Sequence, residues 1–142
     1  MAITQGQTTS FKVGLLCASF NFNTGTTQVY KIALYRSTAD LGPATTVYTT
    51  TGEVTGSGYT AGGATLTIAQ VPTSVGTVAY IDFADPVWTA ALTARGALIY
   101  LADGITNPTV AVLNFGADKT STTSFTVVMP APGATTALVR IK

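Results

Sequence analysis

Residues 56–68 read GSGYTAGGATLTI, with glycine at 56, 58, 62 and 63. Two readings of this stretch imply different folds: a phosphate-binding loop of an α/β protein, or a wide turn between strands. A dinucleotide or Walker loop needs a strand, a glycine turn and then a helix, so that phosphate meets the helix N-terminus. Here the residues after Gly63 are ATLTI, in which Thr65 and Thr67 alternate with Leu66 and Ile68, the period of a strand. No Lys-Ser or Lys-Thr pair directly follows Gly63 to contact phosphate or magnesium. The turn reading is the better one, and it points to an all-β chain.

The neighbouring text agrees. TQVYKIALYRS (27–37) alternates Val29, Lys31, Ala33 and Tyr35 against Tyr30, Ile32, Leu34 and Arg36, which predicts a strand with one largely apolar face. After the turn pair Gly42-Pro43, TVYTTTGEV predicts a short threonine-rich strand. TVAYIDFAD, TARGALIYLA, VAVLNF (110–115), FTVVM and ALVRI predict further strands, with TARGALIYLA central and buried on both faces. Near the start, Phe11, Leu15 and Ala18 share a helical face with Leu16 beside it, and Thr9 or Ser10 can cap it. This predicts a helix of about 10–12 residues, weakened by Gly14, with Cys17 within its apolar face. Residues 1–10 are polar and aperiodic and read as a flexible arm. The expected architecture is an antiparallel, jelly-roll-like β-sandwich of about eight strands over residues 11–142, with a short N-terminal helix and the arm at 1–10.

The chain has 142 residues, about one domain. Charged residues make up 9% and the net charge is +1, so no long-range field is expected to draw in nucleic acid or an anionic membrane. The basic residues Lys12, Lys31, Arg36, Arg95, Lys119, Arg140 and Lys142 are scattered. No apolar run approaches the roughly 20 residues of a membrane-spanning helix, and the opening MAITQGQTTS lacks the basic-then-apolar order of a secretory leader. Threonine is about a fifth of the chain, a composition that favours strands. So few charges solubilise a surface poorly, which implies that partner subunits cover much of it.

Catalytic readings are weak. The chain has no histidine and one cysteine, so the commonest general base, an internal disulfide and a cysteine metal cluster are all missing. Asp82 and Asp85, with distant Glu53, Asp103 and Asp118, raise an acid pair or a calcium site. Their side chains should diverge at a strand end, however, and Asp85 before Pro86 is ordinary turn chemistry. Trp88 with Tyr48, Tyr59 and Tyr80 raises a sugar-stacking platform, against which stands the usual role of a lone tryptophan as a packing anchor. Neither cofactor nor small-molecule substrate is expected.

Across residues 10–141, the segments SFKVGLL, YKIALYRSTADLGPATTVYTTTGEV, GSGYTAGGATL, YIDFADPVWTAALTARGALIY and VAVLNFGADKTSTTSFTVVMP are similar in order and spacing to a family of small virion structural proteins of tailed bacteriophages. Gly14 and Ser19 depart from that family's pattern, at positions that carry no catalytic role. The resemblance implies a non-enzymatic capsid cement, or decoration, protein with a jelly-roll fold. It would be bound to the major capsid protein on the outer surface of the virion, and paired with itself as a dimer or, second, a trimer. The expected contacts lie in loops: Ala2, Ile3, Thr4 and Gln5 in the arm, Gly58, Tyr59, Gly62 and Gly63 in the glycine stretch, and Asp118 and Lys119 in the loop 117–124. A tail, collar or head-fibre part and a carbohydrate-binding adhesion module are the alternatives.

Overall fold

A computed structural model describes residues 2–142 as a mostly antiparallel β-protein. Its elements are β1 (Gly6–Gln7), α1 (Thr9–Leu16), β2 (Tyr30–Tyr35), β3 (Ala64–Thr65), β4 (Ile68–Val75), β5 (Val78–Phe83), β6 (Val87–Trp88), β7 (Thr93–Leu101), β8 (Thr109–Thr120), β9 (Phe125–Thr126) and β10 (Val139–Ile141). The principal sheet runs β1-β8-β7-β2-β3; smaller sheets run β10-β5-β4 and β6-β9. Period-two alternation sends Tyr30, Ile32 and Leu34 of β2 to one face and Ala33 and Tyr35 to the other. The first face packs with Ala97, Ile99, Val110, Ile81, Phe83, Trp88 and Phe125 in the main core. The second packs with Leu98, Tyr100 and Val112, under Ile3, Ala39 and Leu41. β2 is therefore buried on both faces, where the sequence showed one, and β7 is central as expected.

Three further expectations are corrected. The segment 1–10 is not a free arm over its described residues. Gly6 and Gln7 pair with Val112 and Ala111, Ile3 bridges Leu41, and Ile3 and Thr8 are buried. A single buried isoleucine and a strand pair fix it, and neither shows as periodicity. TVYTTTGEV is not a strand; it contributes only bridges, Val47 to Pro108 and Glu53 to Tyr35. α1 starts earlier and is shorter than predicted. Thr8 is its cap, its Oγ1 accepting from the Phe11 N–H while donating to the Thr109 carbonyl at 2.9 Å. The helix closes with the Ser19 N–H on the Gly14 carbonyl and the Ala18 N–H on the Leu15 carbonyl, with Ala18 at φ 55°, a Schellman closure. That early stop leaves Cys17 and Leu16 exposed.

Gly14 is where the helix meets the aromatic core. Phe20 packs edge-on to Phe11 at 5.3 Å between ring centroids, and a Cβ on Gly14 would lie 2.2 Å from the Phe20 ring. Alanine at this position gains about 1 kcal/mol of helix propensity, while overpacking costs about 1–3 kcal/mol. Gly14→Ala is expected to destabilise by about 1 kcal/mol net, seen as a lower urea midpoint with an unchanged slope; a higher midpoint would show that Phe20 moves freely.

The sheet edges are all blunted. β1 and β3 are two residues long and β10 three; β4 carries Pro72 and two register shifts. β8 is interrupted between its pairings of Asn114 with Gly96 and Lys119 with Ala94, with Gly116 at φ 79° inside the irregularity. Short, proline-bearing and bulged edges resist edge-to-edge pairing, so self-association through a long open edge is not what this fold offers.

Candidate functional site

The glycine stretch folds around a buried carboxylate. Glu53 is 5% exposed, and three donors converge on it: the Tyr48 hydroxyl on Oε2 at 2.6 Å, and the Tyr59 hydroxyl and the Gly62 N–H on Oε1 at 2.7 and 2.8 Å. The network continues outward. The Tyr59 hydroxyl accepts from the Leu34 N–H at 2.9 Å, tying the loop to β2, and the Tyr100 hydroxyl donates to the Gly62 carbonyl at 2.7 Å. Tyr48 stacks on Tyr100 at 4.7 Å. Among the described residues Glu53 has no ion-pair partner; the salt bridge formed is Arg95 to Asp118, at 2.8 Å on the surface. Burial, then the hydrogen bond to Glu53, pushes the Tyr48 and Tyr59 hydroxyls well above the usual tyrosine range. Burial and the Glu53 charge push Tyr100 to about 12. A buried carboxylate that accepts from three fixed donors ties residues 48, 59 and 62 together as a structural clamp.

The expected contact residues divide accordingly. Tyr59 and Gly62 are buried in the clamp and are corrected from contact residues to interior ones, while Gly63 is half-buried against β2. Ile3 is corrected likewise, since its side chain packs in the second core. Ala2, Thr4, Gln5, Gly58, Asp118 and Lys119 are exposed; Asp118 and Lys119, expected in a loop, stand instead on β8, where Lys119 pairs with Ala94. Gln5 accepts from the Asn114 N–H at 3.1 Å, and Asp118 holds Arg95.

The aromatic platform is also not assembled. Trp88 is buried, 6.1 Å from Tyr59 and 6.3 Å from Phe125 between ring centroids. The two candidate carboxylates do different jobs: Asp85 accepts from the Met129 N–H at 2.7 Å, while Asp82 is wholly buried and accepts from the Phe83 N–H at 2.9 Å. Among the described residues no three His, Cys, Asp or Glu side chains come together, and no helix is long and apolar enough to cross a membrane.

What sequence reading missed is a set of exposed aliphatics on rigid supports. Ile105 is 87% exposed at the tip of the loop 103–107. Asp103 Oδ1 accepts from the N–H groups of Ile105, Thr106 and Asn107 at 2.8–2.9 Å and so fixes the loop. Those amides hold the Asp103 carboxyl below the ordinary aspartate range. Leu16 is 90% exposed at the helix end, with Val13 exposed one turn earlier. Asp103 followed by Gly104 is turn chemistry, but nothing in the spacing shows that Ile105 points outward. No known protein family, curated protein or solved structure matches the chain.

Proposed function

We propose that this chain is a non-enzymatic structural protein of a tailed-phage virion, a capsid cement protein bound outside the major capsid protein shell. The observation that carries the reading is the pairing of a charge-poor surface with aliphatic side chains held out by preorganised supports, Ile105 on its Asp103-fixed loop and Leu16 at a closed helix end. Large aliphatics exposed without a charged surround are costly in water and gain when a partner covers them, and rigid supports lower the ordering cost of binding. The blunted sheet edges support contact through loops and the helix end. The jelly-roll topology implied by the resemblance belongs to this proposal. A cement that binds the expanded shell better than its precursor stabilises the expanded form by mass action, and repetition over the lattice slows its loss.

The test is reconstitution of the purified chain onto expanded capsids lacking it. Saturable binding at hundreds of copies, with greater resistance of the capsids to heat, is the expected result; the double variant Leu16→Gln, Ile105→Gln should bind roughly tenfold or more weakly while keeping its circular dichroism spectrum. A handful of copies on the tail or collar would replace the cement reading by the tail or fibre one. Capsids equally heat-resistant without the chain would remove the cement reading altogether.

A further inference from the structure

The short strand β1 shows what a gap in this fold accepts. Gly6 and Gln7 lie beside Val112 and Ala111 of β8, and the Gln7 amide reaches the Arg140 carbonyl of β10 at 3.2 Å, so one extended segment fills the space between the two sheets. Before Gly6 the chain turns away, with Ile3 bridging Leu41. The lane along β8 continues without it. Two clefts of about 400 and 470 Å³ share Phe115, Val127 and Val128 as walls and run from β1 to Ser124, with β8 on one side and residues 124–130 on the other.

Both walls are strand edges with spare main-chain groups. Beyond Val112, β8 has no strand on this side, and its Asn114 N–H is taken by the Gln5 side chain. On the opposite wall the Val127 N–H bonds to the Pro86 carbonyl, and in an antiparallel pair the residues on either side then turn their main-chain groups the other way. Those residues are Thr126 and Val128, both exposed. Their N–H and C=O groups therefore face the lane. Between the walls, Leu113, Phe115 and Leu138 are half-buried against the main core, and Val128 is 77% exposed. The lining carries Lys119 and Arg140 and no aspartate or glutamate. Asp118, next to Lys119, is paired with Arg95, and Asp85 accepts from the Met129 N–H without being part of the lining. The Arg140 guanidinium donates to the Thr135 carbonyl, which leaves its charge unneutralised.

We propose that this lane is a docking site for an extended, acidic peptide segment of a partner, laid as a strand along the path that β1 opens. Its alternate apolar side chains would cover Leu113, Phe115 and Val128, and its carboxylates would approach Lys119 and Arg140. β1 is the precedent within the chain for an extended backbone here, the free edges supply main-chain partners, and the two cations set the sign of the charge. From Leu113 to Thr120 the lane is about 20 Å long, room for about six or seven residues of strand. Because it has a wall on each side, it takes a single segment and not the edge of another sheet. Neither Leu16 nor Ile105 lines it, so the proposal is independent of the cement reading.

Fluorescence anisotropy on the full chain with two labelled heptapeptides tests this: Glu-Val-Thr-Val-Thr-Val-Glu, and its counterpart with lysine at both ends. The acidic peptide is expected to bind with a Kd below about 1 mM and to weaken with added salt. The lysine peptide should bind roughly tenfold or more weakly, and Lys119→Glu should cut that preference to about threefold or less. In amide NMR spectra the acidic peptide should shift Leu113–Phe115, Thr126 and Val128 and leave Val13–Leu16 and Ile105–Asn107 in place. Equal affinity for the two peptides, no binding of either at about 1 mM, or shifts centred on Ile105 would each overturn the proposal. A dimer in sedimentation velocity that the acidic peptide dissolves would put a second copy in the lane and overturn the assignment to a partner. The comparison of the two peptides on wild type decides even if the variant folds poorly.

Discussion

Gly63→Ala is expected to destabilise the protein by about 4 kcal/mol or more, among the largest effects of any single methyl addition in this chain. A Cβ at position 63 would lie 1.8 Å from the Ile32 carbonyl oxygen and 2.7 Å from the Ala33 Cα. Both neighbours are backbone atoms of β2, which is itself locked between β3 and β7, so no rotamer change relieves the contact. The residue also sits at φ 78°, where a side chain adds about 1–2 kcal/mol. To accept the methyl, β3 must separate from β2, losing the pairings of Lys31 with Thr65 and Ile32 with Ala64 and disturbing the loop that carries Gly62 to Glu53. Gly25→Ala is the control: its φ of 80° is the same, but nothing lies within 4 Å of the added atom, so the cost should be only the backbone share, about 1 kcal/mol. Urea unfolding of the two variants beside wild type separates close approach from backbone strain. Equal losses would show that the approach of residue 63 to β2 is unimportant.

This contrast shows where sequence reading stops. That a strand follows Gly63 was legible, because Leu66 and Ile68 alternate with threonines, and this was enough to set aside a phosphate loop. That two glycines are needed because the backbone offers an amide to Glu53 and then meets β2 was not legible, since Ile32 lies on a distant strand and nothing in the spacing marks Glu53, nine residues before Gly62, as an acceptor. β7 was placed correctly because the unbroken apolar run Ala97–Leu101 gives length and composition that agree on a buried strand. TVYTTTGEV was misplaced because threonine and valine carry strand propensity whatever the tertiary context, and here Tyr48 and Glu53 are committed to side-chain bonds that hold the segment outside a ladder. Cys17 was misplaced because helical periodicity was extended past Leu16, where Ala18 turns left-handed. The contact residues suffered the same limit: spacing groups residues by loop, while burial separates Gly58 from Tyr59 within one loop.

The same clamp yields the second large effect, and its hydrogen-bond pattern ranks the variants of Glu53. Glu53→Ala removes all three acceptor contacts at once, stranding the Tyr59 hydroxyl and the Gly62 amide in the interior and leaving the half-buried Tyr48 hydroxyl without its acceptor. At about 1–3 kcal/mol for each buried group left unpaired, less what the hydroxyls recover by rotating, the loss should be about 3–5 kcal/mol. Glu53→Gln should cost only about 1 kcal/mol, because a carbonyl retained at Oε1 still serves Tyr59 and Gly62 while the Tyr48 hydroxyl can turn to accept from the new amide. Tyr59→Phe should fall between them, since it removes a donor to Glu53 and the acceptor of the Leu34 N–H together. A double-mutant cycle of Glu53→Ala with Tyr59→Phe should then be strongly non-additive, the pair costing less than the two singles combined by about 1 kcal/mol or more. The tyrosines supply an independent signal. The Glu53 charge raises Tyr48, Tyr59 and Tyr100, so in Glu53→Gln their ultraviolet titration should move to lower pH. A raised hydroxyl supports the fold below the ordinary tyrosine range and ceases to do so as pH rises through its folded value, so wild type should lose more stability between neutral and strongly alkaline pH than Glu53→Gln, whose tyrosines are raised less. Additive losses together with an unmoved tyrosine titration would show that Glu53 is a bystander and that the loop is held by the glycine contacts alone.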